Sequence, residues 1–174
     1  MDFVAIDFEA SCLPRHGRSF PIEVAISGPE GTRSWLIRPH ASWRDWDWTE
    51  EATRRHCISA DELDRKGVSP RQVVQEITKA VCGRRLFADS TIDAIWWATL
   101  HADAGIDPLA PIEHASLLVD ALGAGSGEIA AAKKVADCRC PGRHRAGPDA
   151  AWLWQLLSEL ERIVLARSEL RRAA

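Results

Sequence analysis

Asp7 and Glu9 stand one residue apart at the end of a short apolar run, "FVAIDFEAS". Side chains alternate along a strand, so both carboxylates point to one face while Val4, Ile6 and Phe8 take the other. Two adjacent carboxylates disfavour joint ionisation. A divalent cation removes that conflict, and it takes oxygen ligands. A lone Asp-x-Glu is equally what a half-exposed strand with outward acids would show, so the pair gains weight only if further acids join it. Two do. Asp149 in "HRAGPDAAW" falls in the first turn of the last predicted helix, five residues after His144, and Asp93 in "ADSTIDAIWW" opens another predicted helix. A helix N-terminus favours a carboxylate, whether as a metal ligand or as a simple dipole partner.

The elements that must position these groups follow from pattern. Residues 3–9 read as a strand, and 20–28 and 32–39 read as two more around the turn sequence "GPEG". Helices are expected from Thr49, from Ser59 with Glu62 in capping-box spacing, and from Ser69 with Pro70 in the first turn and Gln72 closing a box. The third carries Val73, Val74, Ile77 and Val81 on one face and stops at Gly83. Residues 85–89 form a strand candidate, 90–105 a helix, 115–122 a further strand candidate and 127–138 a helix. Residues 41–48 and 139–147 are loops. The last helix starts near Pro148 and carries Ala150, Leu153, Trp154, Leu157, Leu160 and Val164 on one stripe, with a frayed tail. The fold class is α/β, antiparallel at the start of the chain and parallel at its end.

The 174 residues suit a single domain, 1–174, with 46% hydrophobic and 27% charged residues as in an ordinary globular chain. No apolar run approaches the roughly 20 residues that span a bilayer, and the N-terminus does not read as a secretory signal. The expected partners therefore exclude a membrane. Five irregularly spaced cysteines point to reduced thiols and a cytoplasmic location rather than a disulfide framework. A net charge of −3 gives the whole chain no strong pull toward nucleic acid, so any such binding must be local.

Together, Asp-x-Glu on the first strand, an acid opening a middle helix and His-x-x-x-x-Asp opening the last resemble the DEDDh (DnaQ-like) family of 3′→5′ exonucleases. "DFEAS" followed by "SFPIEVAI" resembles the first two strands of such domains, and "HRAGPDA" resembles the family's third motif. The middle motif departs from the family pattern: Asp89 stands where an Asn is usual and Ile92 where a Phe is usual, while Asp93 matches the metal ligand. The resemblance implies an RNase H-like fold, a mixed five-stranded sheet with its first three strands antiparallel and helices on both faces. It implies that Asp7, Glu9, Asp93 and Asp149 hold two Mg²⁺ or Mn²⁺ ions and that His144 is the general base. The substrate it implies is the 3′ end of single-stranded or frayed DNA or RNA, released as nucleoside 5′-monophosphates. It places the terminal nucleotide at Phe8 and the backbone of Glu9, Ala10 and Ser11.

Other residues are weighed beside these. Glu23 lies on a strand without a metal role in the family. Phe20, Trp43, Trp46 and Trp48 could stack bases or simply pack. Arg54–Arg55, Arg84–Arg85 and Lys133–Lys134 read as solvated pairs; Arg143 and Arg145, flanking His144, are the phosphate-contact candidates. "CRCPGRH" lacks the second ligand pair of a zinc site and reads as a loop. Against the enzyme stands one reading from another class, a catalytically silent module of this fold that binds nucleic acid or a protein partner. DNA versus RNA and oligomeric state, a homodimer included, are left open.

Overall fold

A computed structural model describes residues 2–108, 110–142 and 144–173. Five strands, β1 (Phe3–Ala10), β2 (Pro21–Gly28), β3 (Gly31–Leu36), β4 (Arg85–Ala88) and β5 (Ile112–His114), form one sheet in the order β3-β2-β1-β4-β5. The β1–β2 and β2–β3 pairs are antiparallel; β1–β4 and β4–β5 are parallel. Seven α-helices accompany it among the described residues: α1 (Glu50–His56), α2 (Ala60–Lys66), α3 (Pro70–Val81), α4 (Asp93–Ala104), α5 (Ser116–Ala121), α6 (Ser126–Arg139) and α7 (Ala146–Ala173).

Strand β1 is central and covered on both faces. Val4, Ile6 and Phe8 pack into the larger core with Val73, Val74 and Ile77 of α3 and Trp96, Trp97 and Leu100 of α4. Phe3 and Ala5 pack on the opposite face with Ala136 of α6 and Trp152, Leu153 and Leu157 of α7. Asp7 and Glu9 continue the second face, at the strand end that α7 reaches with its first turn. That approach is close because the residues between are small. Ala25, the cross-strand partner of Asp7, is buried with Ala146 and Ala150 of α7.

Thr49, Ser59 and Ser69 cap their helices as the sequence predicts, each accepting a backbone N–H with its hydroxyl. The reciprocal half of the two predicted capping boxes is replaced by contacts one turn on, Glu62 with Lys66 and Gln72 with Glu76. The fifth strand is Ile112–His114, and "SLLVDA", predicted within a strand, is the helix α5. Three residues are too few to show an alternation, and Leu118 buried beside exposed Leu117 is as compatible with a helix face. The predicted frayed tail is instead helical to Ala173, with Arg167 paired to Glu128 of α6. No helix among the described residues is long and apolar enough to cross a membrane.

Replacing Ala150 with leucine should overpack the seam between α7 and β2. The expected loss is about 1–3 kcal/mol, read as a lower urea midpoint with an unchanged slope. An unchanged midpoint would show that the seam has slack.

Candidate active site

The β1–β2 ladder shifts register between Glu9 and Ala10, so β1 ends beside the acids. Over this end lies the start of α7, with Gly147 facing β3, where a side chain's Cβ would come into ordinary van der Waals contact with Ser34 and Thr32. Asp149 thereby meets Asp7 and Glu9: a carboxylate oxygen from each of the three lies within 4.8 Å of the others. Pro148 is harmless in the first turn, where no intrahelical acceptor awaits its missing N–H. The His-x-x-x-x-Asp spacing has a local cause too. The His144 backbone N–H donates to Asp149 Oδ2 at 2.8 Å, and the Asp149 N–H donates to the Arg145 carbonyl at 3.0 Å. His144 takes φ +67°, which turns the chain into the helix and leaves the residue exposed at the cleft.

Asp93 is the first residue of α4 and is 2% exposed. Helix α4 is seated against β1 by Trp96 and Trp97, whose rings lie 6.4 Å from that of Phe8. Asp89, exposed at the end of β4, lines the same cleft. This crowding sets the electrostatics. Burial, then the charges of Asp93, Asp149, Glu9 and Asp89, push the Asp7 carboxyl well above its usual range. Burial and the Asp149 and Glu23 charges push Glu9 up to about 7, against a downward pull from Arg145 and Arg55. Burial and the Asp89 charge push Asp93 up to about 7, opposed by backbone hydrogen bonding at Phe8 and Asp93. Asp7, Glu9 and Asp149, hard oxygen donors that cannot all ionise alone, fit a divalent cation that would hold them as carboxylates, and Asp93 lines the same cleft outside that group of three.

Glu23 organises the site from behind. It sits opposite Glu9 in the ladder and is 3% exposed. Arg145 donates to both its oxygens at 2.8 Å, and the Ala146 N–H donates to Oε2 at 3.1 Å. Arg145, predicted to touch phosphate, is therefore engaged with Glu23 and does not line the cleft. Arg143 lies outside the described residues. Phe8 and Ala10 line the cleft. Ser11 does not: its N–H and C=O bond Phe20 and Thr49, and its hydroxyl accepts the Phe20 N–H. Phe20 is buried and stacked on Trp43 at 5.3 Å, unavailable to a base.

The cleft encloses about 240 Å³. Its walls include residues that the sequence reading missed: Leu13 and His16 from the β1–β2 connection, Glu51, Ala52, Arg55 and His56 from α1, and Ile92 and Trp96 around the start of α4. No sequence spacing marks them, because three separate connections bring them together. His56 is buried, accepts the Ile58 N–H at Nδ1, and burial with the Arg145 charge pushes its pKa down to about 4.

No protein-family model and no curated protein sequence matches the chain. Solved structures do. Exonuclease I of E. coli in complex with a dT13 oligonucleotide is 13% identical, with a TM-score of 0.67, over 98% of this chain and 42% of that one. Exonuclease I of Methylocaldum szegediense is 17% identical, with a TM-score of 0.63, over 94% and 42%. A 3′-exonuclease that recognises the 3′ end of a histone mRNA stem-loop is 14% identical, with a TM-score of 0.59, over 94% and 63%. The chain thus has the RNase H-like mixed α/β fold of these 3′-exonucleases. It spans about two fifths to three fifths of their length.

In metal-free protein the raised carboxyls bind more protons folded than unfolded between about pH 4 and pH 7, so they lower stability as pH rises through that window. Asp93→Asn removes one of them. The variant's margin over the wild type should grow between pH 5 and pH 8, by on the order of 3 kcal/mol. Calorimetric melting with chelator at both pH values reads this, and Mn²⁺ should raise the wild-type Tm more at the higher pH. A margin of the variant over the wild type that is no larger at pH 8 than at pH 5 would contradict the electrostatics.

Proposed function

We propose that residues 1–174 form one metal-dependent 3′→5′ exonuclease domain that hydrolyses the 3′-terminal phosphodiester of single-stranded or frayed nucleic acid. The observation that carries this is the convergence of Asp7, Glu9 and Asp149, with Asp93 lining the same cleft of about 240 Å³. The fold shared with 3′-exonucleases supports it, as do the dT13 and histone mRNA ligands of two neighbours. Asp7, Glu9, Asp93 and Asp149 would hold two Mg²⁺ or Mn²⁺ ions. Bound there, such ions would supply Lewis acidity for an in-line displacement at phosphorus.

The chain's own groups do the rest. Phe8, Leu13, Ile92 and Trp96 give the terminal nucleoside an apolar wall. Trp96 is fixed by its indole N–H, which donates to Ser19 Oγ at 2.8 Å. The His144 imidazole takes a proton from the attacking water at a ring nitrogen and passes it to solvent, to which the residue is open. As the water oxygen bonds to phosphorus, the bond to the O3′ of the penultimate nucleotide breaks and a nucleoside 5′-monophosphate departs. Glu23 and Arg145 hold the backbone on which His144 is presented.

Asp7→Ala should abolish hydrolysis of a thymidine monophosphate nitrophenyl ester in Mg²⁺ while circular dichroism shows a folded protein. Near-normal turnover would sink the assignment and leave a binding module.

His144→Ala should lower turnover by about 10²–10⁴-fold with calorimetric Mn²⁺ binding nearly intact. Loss of Mn²⁺ binding would make His144 a ligand instead.

A further inference from the structure

The cleft is strongly acidic, yet a nucleic-acid substrate is an anion. Among the described residues that line it, Arg55 is the one side chain that is always positively charged. His16 and His144 are weaker bases, and His56 is held neutral by burial. Arg55 comes from the last turn of α1. Its side chain is 57% exposed, so it stands at the mouth of the cleft and not on the floor with the carboxylates. Its ion pair is with Glu51, at 3.7 Å across one helical turn, with both side chains more than half exposed. Such a pair is weak and yields readily to a better anion. The Arg55 charge still reaches the cluster, where it favours ionised Glu9.

Position decides which phosphate it can meet. On the exonuclease reading the terminal nucleotide occupies the cleft of about 240 Å³ with the scissile phosphate at the acids, so the next phosphate lies toward the mouth, where Arg55 stands. Arg145 and its bidentate partner Glu23 are locked together, so among the described residues lining the cleft Arg55, held only by its exposed pair with Glu51, is the guanidinium that can fork onto a phosphate.

We propose that Arg55 binds the phosphodiester or phosphate immediately 5′ of the bond that is cleaved, so that the cleft selects chains carrying that second phosphate. This rests on the exonuclease reading above. It identifies a specificity residue at the cleft mouth.

The test compares two thymidine dinucleotides, with and without a 5′-phosphate, as substrates in Mn²⁺. The wild type should prefer the phosphorylated one by about fivefold in kcat/KM. Arg55→Gln should bring that ratio to near one, and Arg55→Lys should restore part of it. Arg54→Gln, which removes the same charge one residue away and outside the cleft lining, should leave the ratio as in the wild type. A wild type without preference, or an Arg55→Gln ratio equal to that of the wild type, overturns the proposal. If the wild type cleaves neither dinucleotide, the exonuclease reading fails by itself. Anisotropy of a fluorescein-labelled oligo-thymidylate then decides for Arg55: the slope of log K against log salt should fall by about 0.7 in Arg55→Gln. An unchanged slope, or no binding by the wild type, removes the anchor.

Discussion

Like charge crowded into the buried end of one central strand is the constraint around which this structure is arranged. Asp7, Glu9, Asp93 and Asp149 come from β1, α4 and α7, and burial with mutual repulsion pushes three of them far above the usual carboxyl range. Such an arrangement opposes folding unless something else holds it. Here the opposing contribution is apolar: β1 carries Val4, Ile6 and Phe8 into one core and Phe3 and Ala5 into another. Strong pKa displacement inside a cleft is a mark of chemistry more than of architecture.

The Glu23–Arg145 pair extends the same logic by one layer. Glu23 adds a further negative charge opposite Glu9, and Arg145 answers it in a bidentate bond. Glu23 is the buried partner and Arg145 the partly exposed one, so losing the arginine would leave a buried carboxylate with only the Ala146 N–H to answer it. The pair thus ties the residue after His144 to β2, while Asp149 ties His144 itself through its backbone N–H. One short segment, 144–149, presents a histidine and a carboxylate with both ends fastened.

The tryptophans brace more than they present faces. Trp43 stacks on Phe20 and donates to Asp103 of α4 at 2.7 Å. Trp48 donates to Thr53 of α1 at 2.6 Å, and Arg18 lies over the Trp46 ring at 4.7 Å. These contacts pin the 41–48 connection between α1 and α4, the two helices that form opposing walls of the cleft. Any ligand entering the cleft meets a wall already in place, which spares the ordering cost that a mobile platform would carry.

The sequence by itself determined a good deal, and the reason is locality. Alternation in "FVAIDFEAS" placed Asp7 and Glu9 on one face, Ser and Thr caps located three helices, and His-x-x-x-x-Asp spanned a single turn whose hydrogen bond is internal to the segment. Where the information was not local, the reading stopped. Three residues of β5 were too short for any period, and "SLLVDA" suited a helix face as well as a strand. That Glu23 would meet Arg145 depended on a contact across 122 positions, which no spacing encodes. That Arg55 faces the cleft, and that Phe20 and Ser11 turn into the core, depended on how the β1–β2 connection, α1 and α4 close on one another. Alanines at 25, 146 and 150 looked unremarkable in the sequence. Only packing made them the reason that α7 lies close enough to bring Asp149 to the strand.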